Sequence, residues 1–90
     1  MDFTKYYLKI TMEAINEQIS RRNFIINAKR IRQYHNFSSS DKSKINFIWR
    51  SLEYLDKIGI IVLNKNRNCA KPKQYYLPKE MLNIEKIIGN

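Results

Sequence analysis

The sequence predicts a small α+β domain, mostly helical: a three-helix core, a β-hairpin and a C-terminal helix. Three observations predict it. Apolar residues recur at helical spacing over residues 3–20 and again over 45–55. Residues suited to capping helices stand before two helical stretches, at Asn27 and Ser38. A β-branched run, Ile60 to Leu63, is followed after a polar stretch by Tyr75-Tyr76-Leu77, which reads as its returning partner. Ninety residues make one domain, 1–90, with its core over about residues 4–78. An apolar share of 43%, including six Tyr, four Phe and one Trp, suffices for a small core.

The first helix is expected over residues 3–20. Phe3, Tyr7, Ile10 and Ala14 form one apolar row, and Leu8, Met12, Ile15 and Ile19 form a second beside it. Two rows make a wider surface than one small partner helix needs. Arg21 and Arg22 suit the negative end of its dipole. Phe24-Ile25-Ile26 is a short β-favouring run. Asn27 is expected to cap a helix over Ala28 to about Tyr34, on which Ala28, Ile31 and Tyr34 point one way. Asn36-Phe37 is the turn. Ser38-Ser39-Ser40-Asp41 matches a capping box, with Ser38 as cap and Asp41 reaching back, so the third helix is expected over about 39–57. Gly59 is placed to close it in a left-handed conformation. Strands are expected over Ile60 to Leu63 and Lys73 to Leu77, with a polar loop over 64–72 between them. Pro78 stops the second strand, and a last helix is expected over about 79–88 before Gly89.

The charge is unevenly placed. The chain carries a net +9. From Arg21 to Lys73 there are thirteen Lys or Arg against Asp41, Glu53 and Asp56, a net of +10. Residues 1–20 net −1 and residues 74–90 net zero. Cations crowded on one supersecondary unit point to a polyanion partner, because each phosphate neutralised releases counterions. Charge alone does not choose among DNA, RNA and an acidic surface.

The same composition argues against other classes. Cys69 is the only cysteine, so no intramolecular disulfide forms, which suits a reducing compartment. No leader-like apolar stretch and no bilayer-length apolar run occurs, so a soluble, cytoplasmic protein is expected. His35 and Cys69 lack partners at ligand spacing, which argues against zinc. A Cys/His nucleophile has no orienting motif here. Gly59 and Gly89 are the only glycines, so no glycine-rich phosphate loop exists. The chain is expected to be no enzyme and to need no cofactor or metal.

The segment Arg50-Ser51-Leu52-Glu53-Tyr54-Leu55-Asp56-Lys57-Ile58-Gly59-Ile60-Ile61 resembles the winged helix-turn-helix superfamily of DNA-binding proteins. There a leucine-spaced recognition helix ends at a glycine and runs into the first strand of the wing. Tyr75-Tyr76-Leu77 looks like the return strand. The turn Asn36-Phe37 departs from the pattern in lacking glycine, and a long C-terminal dimerisation helix is absent. The resemblance implies a recognition helix, about 39–57, in the major groove and a wing, about 64–73, on the flanking backbone or minor groove.

A helical wheel of the third helix places Ile45, Ile48, Trp49, Leu52 and Leu55 together. Ser39, Ser43, Asn46, Arg50 and Lys57 lie opposite. Asn pairs with adenine and Arg with guanine in the major groove. The bland alternative is the solvated face of any amphipathic helix. Phe47 and Tyr54 flank that face, and packing into the core is the favoured reading over base stacking. Trp49 reads as core.

The candidate DNA-binding set is Arg30 and Arg32 on the second helix, Ser39, Ser40, Lys42, Ser43, Asn46 and Arg50 on the third, and Lys65, Arg67, Lys71 and Lys73 in the wing. The wing cations have their own bland alternative, a charged loop that keeps a hairpin soluble. The expectation is a sequence-specific double-stranded DNA-binding protein that regulates transcription in the cytoplasm, nucleoid-associated or in a host cell if viral or plasmid-encoded. The rival is a winged helix used on RNA or as a protein-interaction module of a replication or transcription complex. A homodimer through the first and last helices is expected, because Met81, Ile84 and Ile88 form an apolar stripe on the last helix. Packing of those two helices on each other within one chain is the alternative.

Overall fold

Helix α1 spans Phe3–Ser20, and its two apolar rows dictate the rest of the fold. The computed structural model describes residues 3–65 and 73–89. After α1 come strand β1 (Ile25–Ile26), helices α2 (Ala28–Tyr34) and α3 (Lys42–Lys57), strands β2 (Val62–Leu63) and β3 (Tyr75–Tyr76), and helix α4 (Ile84–Ile88). The described residues thus form a mostly helical α+β fold, with four helices and one three-stranded antiparallel sheet.

α1 touches α2, α3, α4 and β1. Both rows are covered: Tyr7, Ile10 and Ala14 of one, and Leu8, Met12, Ile15 and Ile19 of the other, are all buried. Full burial of a side chain such as Ile15 stabilises by about 1.5–3 kcal/mol. Ile31 of α2 and Ile48, Leu52 and Leu55 of α3 complete the core with Ile26, Ile61 and Tyr75. Leu82, Ile84, Ile87 and Ile88 pack against the same core from the C-terminal end. Of the apolar stripe expected on the last helix, Ile84 and Ile88 pack within the chain, whereas Met81 is exposed.

The sheet order is β1-β3-β2. The hairpin β2–β3 was legible in the sequence. The β-favouring run at Ile25-Ile26 is a strand too, but its partner was not legible: β1 pairs antiparallel with β3, so β3 is central. Ile26, Tyr75 and Leu63 share one row facing inward. Ile25, Tyr76 and Val62 share the outward row, and all three are exposed. Burial, then the charges of Glu53 and Asp56, push the Tyr75 phenol above its ordinary pKa, so the fold favours its neutral form.

Four expected boundaries move. The capping box at Ser38 does not form. Ser38 Oγ instead accepts from Ser40 N, and the Ser38 carbonyl from Asp41 N, closing a tight turn. Asp41 then caps α3, accepting from Lys44 N at 3.3 Å. Ser39 and Ser40 precede the helix rather than opening it. Ile60 and Ile61 are not strand, because both donate back to the Leu55 carbonyl (2.9 and 3.4 Å). The return strand narrows from Lys73–Leu77 to Tyr75–Tyr76, matching its short partners. Residues 79–83 are not helical. The Asn16 amide grips Leu82 from both sides, donating to its carbonyl (3.1 Å) and accepting from its N–H (2.7 Å). Leu82 thus has no main-chain group left for a helix, and Asn83 caps α4 instead, accepting from Lys86 N.

Three helices end in one device. At α1, α2 and α3 a residue with positive φ follows the cap: Arg22 (58°), Asn36 (59°) and Gly59 (85°). The next residue donates back into the last turn each time: Asn23 N to Gln18 O, Phe37 N to Arg32 O and Ile60 N to Leu55 O. This is the Schellman arrangement, which satisfies carbonyls that helix ends leave open. Asn36 fills the position for which glycine is the common choice, since asparagine tolerates the left-handed region.

A methyl group at Gly59 would meet nothing within 4 Å, so its cost is conformational alone. Gly59→Ala is expected to lose about 1–2 kcal/mol in urea unfolding, and equal stability would mean the turn relaxes out of the left-handed region.

Candidate nucleic-acid interface

The candidate interface is built on α2, its turn and α3. Asn27 starts α2, its side chain accepting from Arg30 N at 2.8 Å. At the other end His35 Nε2–H donates to the Ile10 carbonyl (2.7 Å), pinning the turn to α1. Arg32 is half-buried, and its Nη1 donates to the Phe37 carbonyl (3.2 Å). That bond closes the turn and engages one of its donors, whereas Arg30 is exposed.

α3 buries Ile48, Ser51, Leu52 and Leu55. The Ser51 hydroxyl needs no outside partner, since it donates to the Phe47 carbonyl at 3.0 Å. Ile45 and Trp49 are half-buried beside this stripe, Trp49 packing on the core as expected. The opposite face carries Lys42, Ser43, Asn46 and Arg50, all exposed and spaced to lie on one side of the helix. Ser39 and Ser40 are exposed on the preceding turn, and Lys57 at the far end of α3.

Tyr54 corrects its expectation. It is 45% exposed instead of core, because it lies off the buried stripe. Phe47 does pack inward, its ring stacked on Tyr7 of α1 with centroids 4.9 Å apart and planes 7° apart. Arg50 places its guanidinium carbon 5.8 Å from the Phe47 centroid. Lys44 sits 4.8 Å from the centroid of Phe37, which touches Tyr7 edge-on. Sequence reasoning passed over Lys44 and read Tyr7 only as part of an apolar row of α1. The rings come from positions 7, 37 and 47, too far apart along the chain for periodicity to link them.

The hairpin adds two described cations. Asn64 N donates to Gln74 O, which puts Lys65 and Lys73 across from each other one step beyond. Like charges placed opposite destabilise a hairpin unless an anion lies between them. The strand register also sets this end of the sheet beside Asn27, where α2 begins with Lys29 and Arg30. Arg67, Lys71 and Cys69 lie outside the described residues.

Asp41 and Asp56 are engaged, whereas Glu53 is exposed on α3, on the same side as Asn46 and three residues after Arg50. Asp41 caps α3 and lies 3.3 Å from Lys44 Nζ. Asp56 accepts from Leu63 N, covering an open N–H of the edge strand. An open groove of about 550 Å³ between α1, the end of α2 and residues 81–84 carries Glu13 and Glu17. That groove repels phosphate, and no α3 residue lines it. Among the described residues no group of three His, Cys, Asp or Glu could hold a metal, and no helix is long and apolar enough to cross a membrane.

No family model matches the chain, and no curated protein and no solved structure matches it either.

The two arginines of α2 separate by role. Arg32→Ala is expected to destabilise by about 0.5–1.5 kcal/mol through loss of the turn bond, while Arg30→Ala leaves the unfolding midpoint unchanged. Matched denaturation curves decide it; equal midpoints would make Arg32 a surface cation like Arg30.

Proposed function

We propose that the chain is a sequence-specific double-stranded DNA-binding protein of winged helix-turn-helix type and regulates transcription. One observation carries this reading. The helix that follows the α2 turn exposes Lys42, Ser43, Asn46 and Arg50 together while burying its other side. Such a face combines a positive charge that attracts phosphate with an Asn and an Arg that form paired bonds to adenine and guanine edges. α3 enters the major groove in this proposal. Arg30, Lys65 and Lys73 contact flanking backbone, with Arg67 and Lys71 as further wing contacts. Ser39 and Ser40 then meet phosphate ahead of the helix. A second reading rests on the exposed outward row Ile25, Tyr76 and Val62, which suits a protein-interaction module.

Duplex binding is expected to weaken with salt. With about six phosphates contacted, log K falls against log salt with a slope of roughly −5. Arg50→Ala or Asn46→Ala is expected to cost about 1–3 kcal/mol on the preferred site and to relax base choice there. Lys65→Ala or Lys73→Ala weakens all sequences alike and flattens the slope. Fluorescence anisotropy on a site selected from random duplexes, and on its scrambled version, measures both. No duplex affinity at low salt would sink the proposal.

Pairing of two copies through α1 and α4 belongs to the same proposal, as the means of reading two half-sites. It has to use what that region leaves open, chiefly Met81, which is 59% exposed. Sedimentation equilibrium at micromolar protein, with and without a two-half-site duplex, is expected to give twice the chain mass. A mass near one chain under both conditions removes the dimer.

A further inference from the structure

We infer that Tyr7 and Phe47 are positioning residues that preset the guanidinium of Arg50 to read a guanine, an inference that rests on the duplex-binding role of α3. Three geometries line up from the interior to the surface. Tyr7 is 8% exposed and belongs to α1, a helix with no residue in the candidate DNA-binding set. Its ring stacks nearly parallel on Phe47, at 4.9 Å and 7°. Phe47 in turn lies 5.8 Å from the Arg50 guanidinium carbon, inside the range of cation–π attraction.

The stack has a chemical consequence. A guanidinium held over a ring uses its face, while its N–H donors lie in its plane and point outward. That rim is what a guanine needs, since its O6 and N7 accept two parallel bonds in the major groove. A free arginine must give up its rotamer freedom when it makes those bonds, and one already drawn over a ring gives up less. The parallel packing on a buried tyrosine keeps the Phe47 ring from tilting away. No ion pair among the described residues involves Arg50. Lys44 rests on Phe37 in a similar way, but its ammonium also lies 3.3 Å from Asp41 and is already neutralised. The two cations therefore differ in readiness, although both stand on aromatic rings.

The test has one arm without DNA and one with it. In the free protein, nuclear magnetic resonance is expected to show the Arg50 side-chain protons shifted upfield by the Phe47 ring. The shift disappears in Phe47→Leu and survives in Phe47→Tyr. In the second arm each guanine of the selected site is replaced in turn by 7-deazaguanine, which lacks the N7 acceptor. The wild type is expected to lose about ten- to a hundredfold in affinity at one guanine. Phe47→Leu shrinks that loss to a few-fold at most, Phe47→Tyr restores it, and Tyr7→Leu behaves like Phe47→Leu. Melting curves accompany every variant, and Phe47→Tyr keeps the comparison informative if either leucine variant unfolds. An unshifted Arg50 in the free wild type overturns the inference whatever the DNA arm gives. A shifted Arg50 with equal 7-deazaguanine losses in wild type and a folded Phe47→Leu overturns it while leaving duplex binding intact. Absence of any duplex binding by the wild type overturns the parent proposal and this one together.

Discussion

Helix α1 has to bury two adjoining apolar rows, and the rest of the structure is arranged around that demand. One neighbouring helix covers one row. α1 therefore takes α3 and α2 on one part of its surface and α4 with its preceding segment on another. Two polar ties then set where the neighbours begin and end. His35 donates to the Ile10 carbonyl at the close of α2, and Asn16 grips both main-chain groups of Leu82 ahead of α4. Each tie satisfies groups that partial burial would otherwise leave costly. Each also converts a loose apolar contact into a defined register.

The same helix reaches the candidate interface from beneath. Tyr7 contacts Phe37 and Phe47, the rings on which Lys44 and Arg50 rest. Lys44 and Arg50 of α3 are thus backed by two half-buried rings that pack on the buried Tyr7 of α1. A long charged side chain on a bare helix samples many rotamers, and a ring beneath it narrows that choice. The acids are divided: Asp41 and Asp56 are bonded to backbone N–H groups, Glu13 and Glu17 line a groove that α3 does not enter, and Glu53 stands exposed on α3 three residues from Arg50.

The short connections follow from helix termination. Arg22, Asn36 and Gly59 all sit in the left-handed region and let the chain reverse within two residues. Only the glycine advertises this locally. At Arg22 the backbone accepts strain that a glycine would avoid, because the return bond from Asn23 to Gln18 satisfies an open carbonyl. At Asn36 the turn between α2 and α3 is as tight as a glycine would make it, so the departure noted from the pattern is chemical rather than geometric.

The sequence by itself determined α1 and α2 to the residue, the Asn27 cap, the hairpin pairing and the buried stripe of α3. The helices and the cap depend on periodicity and on bonds spanning three or four residues, and the hairpin joins two β-favouring runs separated by one loop, all of which a local reading sees. It could not choose between Ser38 and Asp41 as the cap of α3, since both offer a suitable oxygen and only the folding of the serine turn selects the second. The pairing of β1 with β3, the shortening of α4 and the aromatic layer under Arg50 were decided by tertiary structure. Each depends on groups brought together from distant segments: Ile25 with Tyr76, Asn16 with Leu82, Tyr7 with Phe47. Such contacts leave no period in the chain, because what selects them is the space that α1 leaves once its two rows are covered.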